Sequence, residues 1–411
     1  KQKTAYEIRL SLVGSEMCIR DRFKNVRAAL CINNKMSMLA RQHNNANILV
    51  LGSRLISEQE AIKCLLVFLK TNYEGGRHQA RLDKFNLLEY LKNLDSDHSK
   101  KIHSCNINDV NFFKESYSLN HRTRAFLKVQ DGCDYKCSFC TIPLARGKSR
   151  SNSISNVIEN VHEIASQNIK EIVLTGINLG DFGKNKNKEF NSTFLDLIKE
   201  LDNLDLDLRF RISSIEPNLL NDEIISFIST SKKFVHHFHI PLQSGSDSIL
   251  RLMRRRYDSK LYKSRIEKIN KLMPDACIGV DVIVGFPGEN DDLFLESLNF
   301  LDSLNVSYFH VFTYSERDNT HAISLPNIVE PNVRTKRSKI LRLLSSKKKA
   351  SFYERNKGSI QDVLFESEEK NGYIEGFSSN YIRFRRPWDP NIIGTIVKSM
   401  FVDIDSDGFA I

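Results

Sequence analysis

Between residues 123 and 312, the apolar residues follow two alternating patterns. Short runs rich in β-branched and aromatic residues alternate with longer segments whose apolar residues recur at helical spacing. This alternation predicts a parallel sheet in which strands are followed by helices. We predict strands near residues 125–129, 171–174, 208–212, 238–240, 279–284 and 307–312, and helices near residues 157–166, 194–201, 222–229, 261–272 and 293–304. Such strand–helix units predict a partial (β/α)6 barrel, whose chemistry gathers at the C-terminal ends of the strands.

The pattern changes on both sides of this region. Residues 48–51 predict a strand and residues 58–69 an amphipathic helix, so an α/β fragment precedes the barrel. Residues 334–357 are rich in Lys and Arg but keep an apolar stripe, which indicates a helix with a basic face. Residues 359–411 predict short strands with turns at 370–372 and 405–408, hence a small all-β barrel. The predicted fold class is therefore α/β, with a small all-β domain at its C-terminal end.

Composition and charge narrow the class of protein. A chain of 411 residues with 41% apolar and 27% charged residues is typical of a globular protein with about two to four domains. Neither a membrane-spanning apolar run nor a signal-peptide pattern is evident, so we expect a cytoplasmic protein without a membrane partner. The net charge of +10 suggests a polyanionic partner, although such a surplus also serves solubility.

The candidate chemistry lies in residues 131–150, DGCDYKCSFCTIPLARGKSR. Cys133, Cys137 and Cys140 form a C-x3-C-x2-C pattern in one short loop, where Gly132 permits a turn. A closed zinc site usually takes four ligands, whereas three thiolates suit a [4Fe–4S] cluster with one open iron. The alternatives are three buried structural cysteines, or a zinc site completed by a distant histidine.

This pattern, with an aromatic residue before the last cysteine and an apolar strand before the first, resembles the radical S-adenosylmethionine (SAM) enzymes. The longer stretch VQDGCDYKCSFCTIPLARGKSRS is most similar to the MtaB branch of the tRNA methylthiotransferases, and the resemblance covers about residues 83–411. It implies a [4Fe–4S] cluster on the three cysteines, SAM as cofactor, and tRNA and a one-electron donor as partners. It also implies that Phe139 shields the cluster from water. We expect a monomer.

The resemblance assigns further roles to motifs that follow the predicted strands: LTGINLGD, RISSIEP, HIPLQSGSD, DVIVGFPGE and YSERDNTHA. Their positions past the strand ends bring them to one rim. The implied SAM contacts are Gly176, Asn178, Ser213, Glu216, Gln243, Ser244 and Gly285. The implied contacts on the substrate side are Tyr314 and Arg317.

The C-terminal end predicts an RNA surface. The methylthiotransferases carry a small barrel of the TRAM type at this position, and NYIRFRRPW interleaves aromatic residues with arginines. Aromatic rings stack on unpaired bases while arginines bind phosphate. The candidate RNA contacts are Tyr381, Arg383, Arg385 and Arg386. The basic run at residues 251–256, RLMRRR, is expected to extend this surface.

The first part of the chain predicts something different. Residues 1–22 resemble translated sequencing adapter and are interpreted as an artefact. Residues 23–82 resemble the C-terminal half of ribose-5-phosphate isomerase B, in which His43 opens the sugar ring and Arg54, Arg77 and Arg81 bind phosphate or substrate. The isomerase's N-terminal half is missing, so we do not expect isomerase activity.

The remaining boundaries follow from the resemblance. Residues 83–121 are interpreted as the remnant of a methylthiotransferase N-terminal domain with its linker, 122–357 as the radical SAM domain, and 358–411 as the TRAM-like domain. In the family, the N-terminal domain supplies three cysteines for a second, auxiliary cluster. Here Cys31, Cys64 and Cys105 are interpreted as incidental thiols, so the ligands of the auxiliary cluster are expected to be absent.

The expected function is addition of a methylthio group to C2 of N6-threonylcarbamoyladenosine next to the tRNA anticodon, impaired by loss of the auxiliary cluster. One alternative is another methylthiotransferase branch, acting on isopentenyladenosine in tRNA or on a ribosomal protein. The other is a cluster-bearing RNA-binding protein without catalysis.

Overall fold

The computed structural model describes residues 28–51, 56–74, 107, 110, 112–118, 123–184 and 192–411. The chain divides into two compact units, residues 1–103 and 104–411. Among the described residues, no helix is both long and apolar enough to cross a membrane.

The first unit is a small α/β element. Strands β1 and β2 pair in parallel, and Asn33 and Ser57 cap the two helices by accepting hydrogen bonds from backbone N–H groups of the first turn. Its elements are β1 (Ala28–Cys31), α1 (Asn34–Asn44), β2 (Ile48–Leu51) and α2 (Glu58–Lys70). The strand and helix predicted here are confirmed.

The second unit begins with alternating strands and helices. Its strands up to residue 313 are β3 (Ser116–Tyr117), β4 (Ala125–Lys128), β5 (Gln130–Asp131), β6 (Arg150–Ser151), β7 (Glu171–Thr175), β8 (Arg209–Ile212), β9 (His237–His239), β10 (Cys277–Val284) and β11 (Tyr308–Thr313). Its helices are α3 (Ile142–Arg146), α4 (Ile154–Ala165), α5 (Phe194–Asp202), α6 (Asp222–Thr230), α7 (Asp247–Leu252), α8 (Ser259–Leu272), α9 (Asp291–Ser303) and α10 (Pro331–Asn356). Each strand and helix predicted from the pattern is present, with ends shifted by a few residues.

The six predicted strands lie side by side in chain order. Strands β4, β7 and β8 are parallel neighbours, as are β9, β10 and β11. A parallel bridge between Phe210 and Phe234 joins the two groups, and the Val235 N–H donates to the Phe210 carbonyl at 3.0 Å. The parallel order puts the C-terminal ends of all six strands at one rim, as the sequence predicts.

The two faces of this sheet have different surroundings. Val280, Val282 and Val284 of β10 belong to the main hydrophobic core, together with apolar residues of helices α4, α5, α6, α8 and α9. Because side chains alternate along a strand, Gly279, Asp281 and Ile283 of β10 face the other way. We call the side of the sheet opposite this helix-packed core the open face.

The C-terminal part is a four-stranded antiparallel sheet in the order β14–β13–β12–β15. Phe365, Ile374 and Phe384 form its core with Phe352 of α10. A tight turn at Asn371–Gly372, both with positive φ, connects β12 to β13. The strands are β12 (Ile360–Lys370), β13 (Tyr373–Ser378), β14 (Arg383–Pro387) and β15 (Ile396–Met400). We call residues 358–411 the C-terminal module.

A buried carboxylate connects the two sheets. Glu171 is fully buried and accepts hydrogen bonds from Arg209 Nε at 2.6 Å and Arg211 Nε at 2.9 Å. These arginines lower the pKa of Glu171 against the opposing effect of its burial. Both guanidiniums also donate to backbone carbonyls of the C-terminal module, among them Asp362 and Ser378. The carboxylate therefore pairs with both of the cations that attach the module to the sheet.

Replacing Glu171 by alanine is expected to lower the free energy of unfolding by about 3–5 kcal/mol, because two buried guanidiniums lose their counter-charge. Urea unfolding measures the change. The matched control is Asp207→Asn, which removes an exposed ion pair with Lys170 and should cost less than about 1 kcal/mol. An equal effect of both substitutions would contradict the account.

The same carboxylate predicts a pH dependence. Since folding lowers its pKa, the stabilisation by Glu171 is present above the ordinary value of 4.5 and is lost as the pH falls below it toward the folded value. The wild type should therefore lose more stability than Glu171→Ala between about pH 4.5 and the acid limit of folding. Parallel stability curves for the two proteins would contradict this.

Candidate active site

The three predicted cysteines lie in the loop between β5 and α3, and we call residues 132–141 the cysteine loop. Cys133, Cys137 and Cys140 are free thiols and half-buried. Gly132 has φ +70°, and a Cβ atom there would lie 2.0 Å from the Lys148 carbonyl oxygen, so only glycine fits. The Cys133 N–H donates to the Gly147 carbonyl at 3.0 Å, which closes the base of the loop.

Each of the three sulfurs accepts a hydrogen bond. The N–H groups of Tyr135 and Ile142 donate to Cys133 and Cys140, both at 3.4 Å. The third donor is a side chain, since Arg255 Nη1 lies 3.1 Å from Cys137 Sγ. N–H donors of this kind stabilise thiolates that ligate metal.

Burial works against these thiolates. It raises the pKa of Cys133 to about 12 and also raises the pKa of Cys140. Three thiolates in such surroundings need more positive charge than one arginine supplies, and bound iron would provide it. The donor set therefore fits a cationic metal group.

The three sulfurs do not all lie within 4.8 Å of one another, since among the described residues only His239, Asp281 and His310 bring three ligand atoms that close. A closed zinc site would need a fourth ligand beside the three cysteines. Metal analysis separates the zinc alternative from a cluster.

An apolar group covers one side of the cysteine loop. Phe139 packs edge-on against Phe286, with ring centroids 6.2 Å apart, and Phe286 contacts Tyr314 at 5.3 Å. Ile283, from the open face of β10, belongs to the same group. This arrangement is consistent with the expectation that Phe139 excludes water.

Sequence reasoning missed Gln130, whose hydrogen bonds hold the cysteine loop in position. Its buried amide donates to the Gly132 carbonyl at 2.8 Å and to Ser149 Oγ at 2.9 Å, and its Oε1 accepts from the Asn178 N–H at 2.8 Å. Gly176 is tightly packed on the same side chain, because a Cβ atom there would lie 3.0 Å from Gln130 Oε1. The only signal in the sequence was its place in the VQDGC stretch.

Asn178 supplies a buried acceptor near this centre. It is 3% exposed, and its Nδ2 donates to Asp181 at 2.7 Å. Its Oδ1 is buried without a hydrogen-bond partner among the described residues. Such an oxygen is rare in a folded protein and would be satisfied by an N–H of a bound molecule, which fits the amino group of SAM.

Arg255 is the second residue that sequence reasoning misjudged. It was expected on the RNA surface with the run 251–256, but its side chain is only 4% exposed, so that expectation is wrong for this residue. Besides Cys137, its guanidinium binds Glu216 and donates to Tyr257 Oη at 2.9 Å. The structure thus connects a cysteine of the loop to Glu216, one of the predicted SAM contacts.

The other predicted SAM contacts are spread along the strand ends. Gln243 has φ +72°, and its backbone bridges β10 by donating to Asp281 and accepting from Ile283. Ser244 is buried and accepts from the Ser246 N–H. The Ser213 N–H donates to the Leu174 carbonyl at 3.1 Å. These positions follow strands, as expected, but no described contact assigns them a ligand.

Gly285 has a packing role. It has φ +74°, and a Cβ atom there would lie 2.3 Å from the Arg334 side chain. Its N–H donates to Glu289 Oε1 at 2.8 Å. The close approach of the Arg334 side chain therefore accounts for a glycine at this position, and the contact of Gly285 with SAM stays a prediction.

The predicted substrate and RNA contacts are largely engaged within the protein. Tyr381 stacks on His237 at 4.4 Å, while Arg383 and Arg385 both pair with Glu375. Arg386 lies over the Phe365 ring, Tyr314 is buried, and Arg317 is exposed. Their roles toward RNA stay predictions.

In the first unit, His43 is part-exposed and lies 3.9 Å from Glu74. Cys31 and Cys64 are buried. Arg54, Arg77, Arg81 and Cys105 lie outside the described residues, as do residues 1–22.

Two family models match the chain. The radical SAM superfamily matches residues 127–301, and the ribose/galactose isomerase family matches residues 2–85. The second match supports the predicted isomerase-like segment. It begins within residues 1–22, whose resemblance to adapter stays a prediction.

Several known relatives are similar to the chain. The threonylcarbamoyladenosine tRNA methylthiotransferase MtaB of Bacillus subtilis is 40% identical over 68% of this chain and 63% of its own length, so the chain spans less than two thirds of it. The MtaB of Aquifex aeolicus is 36% identical over 76% of this chain and 73% of its own. The tRNA-2-methylthio-N(6)-dimethylallyladenosine synthase of B. subtilis is 33% identical over 68% and 55%.

Among solved structures, the radical SAM methyltransferase TsrM of Kitasatospora setae matches with a TM-score of 0.40 and 15% identity. The match covers 48% of this chain and 35% of that one.

Replacing Cys137 by alanine is expected to remove most of the iron bound after anaerobic reconstitution, because two thiolates do not retain a cluster that three hold. The wild type should bind about four irons per chain, measured by iron analysis and absorption near 400 nm. The control is Cys277→Ala, a free cysteine in the core of the C-terminal module. Full iron content in Cys137→Ala would refute the site.

Proposed function

Because this chain belongs to the tRNA methylthiotransferases of the radical SAM superfamily, we propose that it adds a methylthio group to C2 of N6-threonylcarbamoyladenosine next to the tRNA anticodon. The observation that carries the proposal is the cysteine loop, in which each of the three sulfurs accepts a hydrogen bond from an N–H group. The two MtaB relatives favour this nucleoside over others.

In this proposal Cys133, Cys137 and Cys140 would hold a [4Fe–4S] cluster, beside which SAM would bind. When bound, the pair supplies a carbon-centred radical that abstracts hydrogen from the substrate. A one-electron donor is the second partner besides tRNA. The six parallel strands form the partial barrel that encloses this chemistry.

The protein's own residues orient SAM and protect the reacting centre. Asn178 Oδ1 accepts from the amino group of SAM, and Glu216, held by Arg255, binds its hydroxyl groups. Phe139, Phe286 and Tyr314 keep water away from the reacting centre. A closed site matters because a radical that meets the C–H or S–H bonds of other side chains or solutes is lost from the productive reaction.

For tRNA, the C-terminal module acts as a TRAM-type domain beside helix α10. Arg334 and Arg337 on this helix are buried and paired with Glu316 and Glu289, so they serve the fold. Lys348 is half-buried and donates to the Asp302 and Leu304 carbonyls. The exposed basic side chains of α10 form what we call the basic face of α10: Lys336, Lys339, Arg342, Lys347, Lys349 and Arg355. A helix face that meets only solvent needs no such excess of positive charge, whereas the phosphates of an RNA backbone attract positive charge.

A second candidate function has a specific observation in its favour. The relative that makes methylthio-dimethylallyladenosine is 33% identical to this chain, so an isopentenyladenosine substrate is the alternative.

In the family a second cluster takes part in sulfur transfer, and the described residues contain no second group of three cysteines. SAM cleavage and methylthio transfer should therefore be measured separately.

The test of the proposal is an anaerobic reaction with SAM, a low-potential reductant and an anticodon stem-loop RNA that contains threonylcarbamoyladenosine. We expect 5′-deoxyadenosine, detected by mass spectrometry, and methylthio-nucleoside in lesser amount. Asn178→Ala should reduce 5′-deoxyadenosine formation at least about tenfold, because it removes an acceptor for SAM. RNA that is retained without any SAM cleavage would favour the non-catalytic alternative.

The RNA surface is tested by salt dependence. Lys339→Ala should weaken binding of all tRNAs alike and reduce the slope of log K against log salt by about one, since one phosphate contact is lost. Binding is measured by fluorescence anisotropy. Lys263→Ala, an exposed lysine on α8, is the matched control and should change neither quantity. Equal slopes for Lys339→Ala and wild type would contradict this RNA surface.

A further inference from the structure

The open face carries a polar group that is not among the residues proposed to bind the cluster or SAM. Asp281 on β10 lies directly opposite His310 on the neighbouring β11. His239, at the end of β9, pairs with Gly279 two residues before Asp281. The ligand atoms of the three side chains lie within 4.8 Å of one another. We call His239, Asp281 and His310 the open-face triad.

The triad lies between the cysteine loop and the C-terminal module. Along β10, Cys277 packs in the core of the C-terminal module, while Ile283 belongs to the apolar group of Phe139. Side chains on one face of a strand are spaced about 6.6 Å apart. Asp281 therefore lies about that distance from Ile283, the next residue of β10 on the open face. A molecule bound at the reacting centre can therefore extend to the triad.

The three side chains offer unequal hydrogen-bonding capacity. Asp281 Oδ1 and His239 Nε2 are 2.9 Å apart and satisfy each other. The His310 ring contacts the rings of His239 and Tyr308 at 5.6 and 5.0 Å and makes no side-chain hydrogen bond to the described residues. It is exposed on the open face. Partial burial of the ring lowers the pKa of His310, so the ring is neutral near pH 7 and can either donate or accept.

An apolar occupant does not suit this group. An isopentenyl substituent would cover the histidine and the carboxylate without giving either a partner, which is unfavourable for groups removed from water. A threonylcarbamoyl substituent carries a carboxylate, a hydroxyl and urea N–H groups. His310 can donate to its carboxylate, and the second oxygen of Asp281 can accept from its O–H or N–H groups.

We propose that His239, Asp281 and His310 form the subsite that binds the polar N6 substituent of the target adenosine and selects threonylcarbamoyl over isopentenyl. This rests on the proposed function, because the nucleoside must reach the open face. A divalent ion is the competing occupant, since two imidazoles and a carboxylate are common metal ligands. His239 Nε2 and one oxygen of Asp281 already bond each other, and the described residues bring no fourth ligand to the triad.

The experiment measures binding of the full chain to three anticodon stem-loop RNAs that differ only in the nucleoside next to the anticodon. They contain adenosine, isopentenyladenosine or threonylcarbamoyladenosine. We expect the wild type to prefer the threonylcarbamoyl RNA over the isopentenyl RNA by about tenfold or more. His310→Phe should bring this ratio close to one and leave affinity for the unmodified RNA unchanged, and Asp281→Asn should lower the ratio in the same direction.

His162→Phe is the matched control, since it changes an exposed histidine on α4 in the same way. An unchanged ratio in both triad variants would overturn the subsite. Stoichiometric divalent metal in the purified protein, lost in His310→Phe, would assign the triad to an ion instead and also overturn it.

The outcomes separate this inference from the proposed function. If the preference is intact but SAM is not cleaved with any RNA, the proposed reaction fails and the subsite stands. If SAM is cleaved but the wild type binds the two modified RNAs equally, the subsite fails and the reaction stands. Failure to bind any of the three RNAs contradicts both.

Discussion

Burial raises the pKa of two of the three half-buried thiols in one short loop, Cys133 and Cys140, and the cysteine loop is built around this constraint. Burial opposes ionisation of Cys133 and Cys140, while backbone N–H groups and Arg255 favour it. Gln130 fixes the loop's position by bonding both to it and to the segment after β7. A cationic group shared by the three sulfurs would complete the balance, and an iron–sulfur cluster is such a group.

A second group of buried charges attaches the C-terminal module to the sheet. Glu171 pairs with Arg209 and Arg211, and both arginines donate hydrogen bonds to backbone carbonyls of the module. Tyr381 of that module stacks on His237 of β9. The module is thus attached at one end of the sheet and the cysteine loop at the other. The open-face triad lies between them, where a nucleoside from bound RNA would meet the reacting centre.

The sequence predicted those features that depend on local pattern. Strands and helices follow from apolar periodicity, and three cysteines within one loop must be neighbours in space. Contacts between distant segments were not predictable in this way. Arg255 stands in a basic run that is indistinguishable from a surface run, yet it is buried against Cys137. Arg383 looked free to bind phosphate, but the register of β13 with β14 brings Glu375 beside it.

The central claim is that the three cysteines hold a cluster with one iron open to SAM. Electron paramagnetic resonance of the anaerobically reconstituted, reduced protein tests it most directly, with spectra recorded before and after addition of SAM. The account predicts a [4Fe–4S]⁺ signal whose g-values shift when SAM binds the open iron. A signal that SAM leaves unchanged, or protein that contains zinc in place of iron, would contradict it.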